Sequence, residues 1–274
     1  MWYGLRLARK IFGKSAALVG SSFLLLTICT AHARILRTRP TPSETWDPLL
    51  PLTIGSGIEF ETNSESSQYD FPFLLEYNFT EPLRITIEPN VAHIHAKAKD
   101  ARTVTGFGDL ETSLEYEFVR ERRYRPAFTA EGVIRWPTAS DPDIGDPGQD
   151  YSLGVIASKD LVFIDLDLSG MYTLVGGPNN RDTFEISLAG EWHLNYRFDL
   201  EAEIVHAFGT GGIRGQPGTL TGISPTSPGT DLTEGTVGIA WHASKRLKIE
   251  QGATFRSDGT WQIVFAWEWS FSGE

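Results

Sequence analysis

Cysteine and basic residues are scarce in this sequence. Cys29 is the only cysteine among 274 residues, so an intramolecular disulfide is excluded. Lys and Arg number 24 against 35 Asp and Glu, giving a formal net charge of −11. Nucleic-acid binding requires clustered Lys and Arg, so nucleic acid is not expected as a partner. The chain has 27 glycines and 15 prolines, and 12% of its residues are aromatic, which is typical of a protein with many strands and turns.

The first 33 residues combine three features of a secretory signal peptide. A basic start, a mostly apolar segment and a small-x-small cleavage site follow one another at Arg6–Lys14, Ser15–Thr30 and Ala31–Ala33. The apolar segment is shorter than the ~20 residues of a membrane-spanning helix, which is the alternative interpretation. Residues 34–50 are polar and Pro-rich and are predicted to form an N-terminal arm in the periplasm. Residues 51–274 are predicted to form one domain.

The stretch Gly106–Phe118 shows the pattern that organises the rest of the chain. From Leu110 to Phe118, mostly apolar residues alternate with acidic and small polar ones. A period of two places successive side chains on opposite faces of a β-strand, here one apolar and one acidic. Two such different faces require two different solvents. A transmembrane β-barrel supplies them, with lipid outside and water inside.

Three short motifs in the middle of the chain carry a family resemblance. They are GFGDL at Gly106–Leu110, IRWPT at Ile134–Thr138 and LGVIASK at Leu153–Lys159. In this order the motifs resemble the outer-membrane barrel family named for the MetA pathway of phenol degradation, although Ala139 follows Pro-Thr where that family has glycine. The resemblance implies a channel-like or transporter-like role, apolar or aromatic solutes, and no catalytic residues.

Segments with period-two alternation, bounded by turn residues, predict about twelve strands. They are 52–61, 68–79, 83–94, 106–118, 126–136, 151–158, 162–174, 183–194, 197–208, 233–241, 247–256 and 260–271. The predicted fold class is all-β: a transmembrane antiparallel up-and-down barrel with short periplasmic turns and longer extracellular loops. A soluble barrel with its apolar face inside is the alternative. The signal peptide, the unequal loops and the tryptophans near strand ends favour the membrane barrel.

Two features of the strands bear on assembly. The last strand, Trp261–Phe271, resembles the aromatic-ended closing strand by which outer-membrane barrels are recognised, so outer-membrane lipids and the barrel-assembly machinery are expected partners. Pro72 and Pro89 fall inside predicted strands, and each removes a hydrogen-bond donor. If the turn at Thr80–Pro82 sets the register, the two prolines share one patch, where a β-bulge is one explanation.

The predicted inner face is strongly acidic. The candidate lumen-lining residues are Arg84, Glu88, Asp109, Glu111, Glu115, Glu117, Glu131, Arg135, Asp165, Asp167, Glu185, Glu191, Asp199, Glu201, Glu203, Lys248, Glu250 and Arg256. Arg197 is predicted to face inward as well. Because the bases are too few to pair the acids, the pattern favours a wet lumen that prefers cations. A paired network filling a narrow barrel is the alternative.

No catalytic, metal or cofactor site is predicted. His206 lies on the outer face near a strand end, where some barrels place a lipid-hydrolase histidine, but no serine follows two residues later. His93 and His95 are only two potential ligands, fewer than zinc normally takes from protein. The acidic loop Asp141–Asp150 has no calcium-loop spacing, and Gly209–Gly212 opens no helix and is not a phosphate loop.

These observations predict a Gram-negative outer-membrane barrel that passes or binds a small-molecule solute. The alternatives are a lipid-modifying barrel enzyme and a structural barrel with a plugged lumen. We expect Leu114→Arg to destabilise the barrel by ~2–4 kcal/mol and Glu115→Arg to be tolerated much better. Neutralising Glu111, Glu115, Glu201 and Glu203 together should weaken the cation preference.

Overall fold

The structure is a computed structural model that describes residues 51–64, 66–96, 102–145, 147–176, 182–208 and 231–271. The predicted signal peptide and N-terminal arm lie outside the described residues, as do Asp146 and the segment 209–212. Among the residues described, no helix is long and apolar enough to cross a membrane.

The described chain consists of β-strands. They are β1 (Leu52–Thr62), β2 (Ser66–Thr80), β3 (Leu83–Glu88), β4 (Asn90–Ala96), β5 (Thr103–Phe107), β6 (Leu110–Val119), β7 (Ala127–Trp136), β8 (Asp150–Asp160), β9 (Ile164–Leu174), β10 (Thr183–Asn195), β11 (Phe198–Phe208), β12 (Leu232–His242), β13 (Leu247–Arg256) and β14 (Trp261–Phe271).

The strands form one closed antiparallel barrel. From β6 to β14 each strand pairs with the next one in sequence, and β1 pairs with both β2 and β14, which closes the sheet. β2 is long enough to pair with both β3 and β4, which together form one barrel strand, and β5 and β6 form the next. The barrel therefore has 12 strands, and the predicted fold class is confirmed.

The two interrupted strands meet at Pro89. Pro72 pairs with Asn90 as predicted, and the register between β2 and its partners does not shift there. The irregularity lies on the other side of Pro89, because Val91 pairs with Phe107 whereas Glu88 pairs with Glu111. Residues 89–90 thus face residues 108–110. This β-bulge lies in the β5–β6 strand, next to the backbone nitrogen that cannot donate.

The barrel has an inverted polarity. On β2 the outward side chains Tyr69, Phe71, Phe73, Leu75, Tyr77 and Phe79 are exposed. The inward ones between them include the buried Gln68, Asp70, Glu76 and Asn78. A soluble barrel would bury the first set and expose the second, since apolar burial drives folding in water. The arrangement is that of a transmembrane β-barrel, with an apolar band outside and polar groups inside.

The two ends of the barrel differ. At one end, here called the turn end, short connections join β2 to β3, β8 to β9, β10 to β11 and β12 to β13. β1 begins and β14 ends at this same end of the barrel. The connections at the opposite, loop end include the longer segments 137–149 and 175–182. In known outer-membrane barrels the short turns lie on the periplasmic side. The β6–β7 turn is longer than its neighbours and contains a small bridge between Arg122 and Arg125.

Candidate functional site: the charged interior

The predicted lumen-lining residues lie on the inner face of the barrel, and none of them is exposed. Those that are buried are Arg84, Glu115, Glu117, Arg135, Asp165, Asp167, Glu185, Glu191, Asp199, Glu201, Glu203 and Glu250. Those that are partly buried are Glu88, Asp109, Glu111, Glu131, Lys248 and Arg256. The inward prediction for Arg197 is wrong. It lies exposed in the β10–β11 turn, where its guanidinium is over the ring of Tyr196.

Each of the four inward bases bridges two acids. Arg84 is 1% exposed and contacts Glu115 on β6 and Glu76 on β2, the latter at 3.4 Å between Nη1 and Oε1. Arg135 contacts Asp109 in the bulge and donates to Oδ2 of Asp150 at 2.7 Å. These contacts hold neighbouring strands together through the interior, because a guanidinium presents donors in several directions.

The other two bases lie on β13. Arg256 donates to Glu234 on β12 at 2.7 Å and lies 3.1 Å from Glu61 on β1. Lys248 lies 3.1 Å from Glu201 on β11 and 2.5 Å from Glu250 on its own strand. Part of the interior is therefore a paired network, which was the alternative to a wet lumen. Because each base is shared by two acids, the network still carries net negative charge.

The negative charge is concentrated on three adjacent strands. β9, β10 and β11 contain no Lys or Arg, and their buried inward acids are Asp165, Asp167, Glu185, Glu191, Asp199, Glu201 and Glu203. Asp167 and Glu203 lie at one level on either side of the small residue Ala189, since both pair with it across the sheet. Buried charge of one sign is costly without compensation, so this wall favours cations in the interior.

Side-chain amides donate hydrogen bonds to a second group of buried acids, and sequence reasoning missed these amides. Gln262 Nε2 donates to Glu59 at 2.8 Å, and Asn90 Nδ2 donates to Asp70 at 3.1 Å. Gln68 also donates to Asp70. The signal was present, because these amides occupy inward positions of their strands. The sequence alone does not show which acid each of them faces.

The segment that follows β7 folds back against the inner wall at the loop end. Ile144 is fully buried and packs with the inward residues Ala92, Ile94 and Val104 of β4 and β5. The backbone of Ser140 donates to the carbonyl of Phe107 at 2.9 Å. This segment, 137–145, narrows the interior beside the bulge; we call it the inner loop. The acidic-loop interpretation did not anticipate its buried isoleucine.

We expect Gly145→Ala to displace the inner loop. A Cβ at Gly145 would lie 2.3 Å from Ala139 Cβ and 2.7 Å from Asp109 Oδ1, so the loop or the Asp109–Arg135 pair must move. Overpacking of this kind costs about 1–3 kcal/mol, measurable by urea unfolding in detergent. Gly132→Ala is the matched control, because a Cβ there meets nothing within 4 Å. Equal stability of the two variants would mean that the inner loop does not pack as described.

His206 is a polar group on the outer face near the loop end. His206 Nδ1 lies 2.9 Å from Thr233 Oγ1 on the neighbouring strand, and its Nε2 lies 4.0 Å from Asp231 Oδ2. The predicted outward placement of His206 agrees with the structure. The hydroxyl partner comes from β12 and not from a residue two positions on, which explains why the local sequence did not reveal it.

Solved structures with the same fold are outer-membrane barrels. An outer membrane channel from Pseudomonas putida F1 aligns over 85% of this chain and 100% of its own, at 14% identity and a TM-score of 0.62. The NanC porin aligns over 80% and 100%, at 9% identity and a TM-score of 0.55. The KdgM porin in complex with oligogalacturonate aligns over 79% and 99%, at 10% identity and a TM-score of 0.52. No family profile and no characterised protein sequence matches the chain.

Proposed function

We propose that this protein is an outer-membrane channel for small solutes and that its interior favours cations over anions. The observation that carries the proposal is the acidic wall of β9, β10 and β11, which contains no Lys or Arg. A narrow, low-dielectric passage focuses the field of its charges, so a cation gains attraction on entry and an anion is repelled. The channel and porin structures with the same fold support this proposal as analogy.

Placement in the outer membrane is part of the same proposal. The apolar outward band supports it, as do the sequence features of a signal peptide cleaved after Ala33 and an aromatic-ended last strand. The resemblance to the phenol-degradation barrel family adds apolar or aromatic compounds to the proposed solutes. The acidic interior favours those among them that carry a positive charge.

Reversal potential in a planar bilayer tests the ion preference. With a salt gradient across a bilayer that holds the purified protein, we expect a reversal potential of cation-selective sign. The potential should shrink as both salt concentrations rise, because the Debye length falls from ~10 Å at 0.1 M to ~3 Å at 1 M. An anion-selective sign would contradict the proposal. The absence of current would favour the plugged barrel, for which the inner loop is the specific observation.

The double variant Asp167→Asn, Glu203→Gln should reduce the cation preference. Both side chains are at most 5% exposed and face the interior at one level. This choice revises the set predicted from sequence, because Glu115 and Glu201 are partners of Arg84 and Lys248 and their neutralisation would also unpair a base. The control is Glu81→Gln, which neutralises an acid with a 58% exposed side chain in the β2–β3 turn and should leave the reversal potential unchanged.

One arrangement favours a second candidate, a lipid-modifying enzyme. The hydroxyl of Thr233 and the imidazole of His206 are within hydrogen-bond reach on the outer face, as a nucleophile and its base must be. The Asp231 carboxylate, at 4.0 Å, is beyond hydrogen-bond distance of the imidazole. Release of fatty acid from phospholipid vesicles by the protein, abolished by Thr233→Ala, would establish this candidate. We expect no release.

A further inference from the structure

Two histidines and three carboxylates converge on the inner face at the turn end. His193 and Glu191 come from β10, Asp165 from β9, Asp199 from β11 and His242 from β12. Sequence reasoning selected the three acids as lumen-lining residues and missed both histidines. We call this group the histidine–carboxylate cluster.

Both ring nitrogens of His193 face a carboxylate oxygen. Nε2 lies 2.9 Å from Asp165 Oδ2, and Nδ1 lies 2.9 Å from Asp199 Oδ1 and 3.9 Å from Glu191 Oε1. A neutral imidazole carries only one N–H, and an ionised carboxylate has none to donate. If Nε2 donates to Asp165, the lone pair of Nδ1 points at Asp199, and either a proton or a metal ion is needed between them.

His242 brings a second nitrogen to the same place. Its Nε2 contacts the other oxygen of Asp199, Oδ2. One ligand atom each from Glu191, Asp199 and His242 lie within 4.8 Å of one another, so small side-chain shifts bring them around one ion. The second oxygen of Asp165, Oδ1, has no hydrogen-bond partner among the described residues, although Asp165 is only 5% exposed.

The strands around the cluster supply little fixed positive charge. β9, β10 and β11 supply no Lys or Arg, and Lys248 on β13 is already shared by Glu201 and Glu250. The side chains of His193 and His242 are 38% and 39% exposed, so an ion can reach the nitrogens from solvent. The cluster therefore combines converging ligands, an excess of negative charge and an entry path.

We propose that the histidine–carboxylate cluster binds one divalent transition-metal ion through His193 Nδ1, His242 Nε2, Asp199 and Glu191. Two imidazole nitrogens with carboxylate oxygens suit Zn²⁺ and its neighbours, whereas Ca²⁺ and Mg²⁺ prefer oxygen alone. Asp165 is a positioning residue, because a carboxylate that accepts from Nε2 fixes the tautomer of the ligating ring. The ion would join β10, β11 and β12 at the turn end.

Equilibrium dialysis of the purified protein, prepared without a histidine tag, against Zn²⁺ tests the site. We expect one Zn²⁺ per chain, and loss of that ion in the double variant His193→Gln, His242→Gln. Asp165→Asn should weaken Zn²⁺ affinity by about 10- to 100-fold, as outer-sphere partners of metal ligands do. The matched control is His206→Gln, which removes a histidine on the outer face at the loop end.

Co²⁺ provides a readout that does not depend on stoichiometry. Ligation of Co²⁺ by imidazole should give a visible absorption band in the wild-type protein and in His206→Gln, and none in the double variant. Each variant is first shown to be folded by its resistance to unfolding in detergent when the sample is not heated. Failure to retain Zn²⁺, or equal retention by the double variant, would overturn the proposal in favour of protonated histidines. Neither measurement depends on conductance, so failure here is distinguishable from failure of the channel proposal.

Discussion

Replacement of Arg84 by methionine is expected to lower the free energy of unfolding by about 3–5 kcal/mol, because it removes the base from between two buried acids on the neighbouring strands. Arg84 is 1% exposed and contacts both Glu76 and Glu115, which are 3% and 4% exposed. Methionine fills similar space but neutralises neither acid. Urea unfolding in detergent micelles, followed by far-UV circular dichroism, measures the loss.

The control for Arg84→Met also removes the charges of the two acids, so charge balance returns although the arginine is absent. The triple variant Arg84→Met, Glu76→Gln, Glu115→Gln carries no unpaired charge at this site, so it should recover most of the lost stability. If the single and triple variants are equally unstable, packing of the arginine side chain and not its charge holds these strands together.

Replacement of Leu114 by arginine is expected to destabilise the barrel by about 2–4 kcal/mol, since it places a charge in the hydrocarbon. Leu114 lies in the middle of β6, faces outward and is 49% exposed. Unfolding from lipid vesicles measures the effect, and the yield of folded protein reports on assembly. Leu114→Phe is the matched control and should stay within about 1.5 kcal/mol of wild type, because it is large but uncharged.

The structure reverses one expectation about the neighbouring residue. From sequence, Glu115→Arg is expected to be tolerated much better than Leu114→Arg, because position 115 faces the polar interior. Glu115 is the partner of Arg84, so the substitution would place two guanidinium groups side by side in a buried site. Whether a residue faces inward or outward follows from the period of its own strand. The identity of the residue that it contacts does not follow from that period.

Most of the fold could be predicted from the sequence because a membrane barrel depends on local patterns. Most strands have a polar and an apolar face, and short turns fix the register of each hairpin independently of the rest. The predicted strand bounds therefore lie close to those of the structure, from Leu52–Thr62 to Trp261–Phe271. The pairing of Pro72 with Asn90 followed from the turn at Thr80–Pro82 alone.

What could not be predicted depends on contacts between distant segments. The bulge at residues 108–110 contains Asp109, the partner of Arg135, and only the pairing of three strands shows that the bulge exists. Ile144 sits in a polar loop sequence, and nothing local indicates that it packs against the inner wall. His193 and His242 are 49 residues apart in sequence, and they approach Asp199 only after β10, β11 and β12 are aligned.

The seam between the first and last strands determines when this protein can reach its final form during biogenesis. β1 pairs with β14 along its whole length, and side chains 217 and 203 positions apart, Thr53 with Ser270 and Glu59 with Gln262, bond across it. Contacts this distant in sequence form slowly, because the entropy of closing so long a chain is lost before they form.

Until β14 is in place, β1 and β13 are open edges whose backbone groups cannot be satisfied by lipid, at several kcal/mol each. An incomplete chain is therefore not a smaller channel but a polypeptide with no stable membrane form. The whole sequence has to be synthesised and kept unfolded before closure begins. Chains interrupted before residue 261 are expected to be degraded and not inserted.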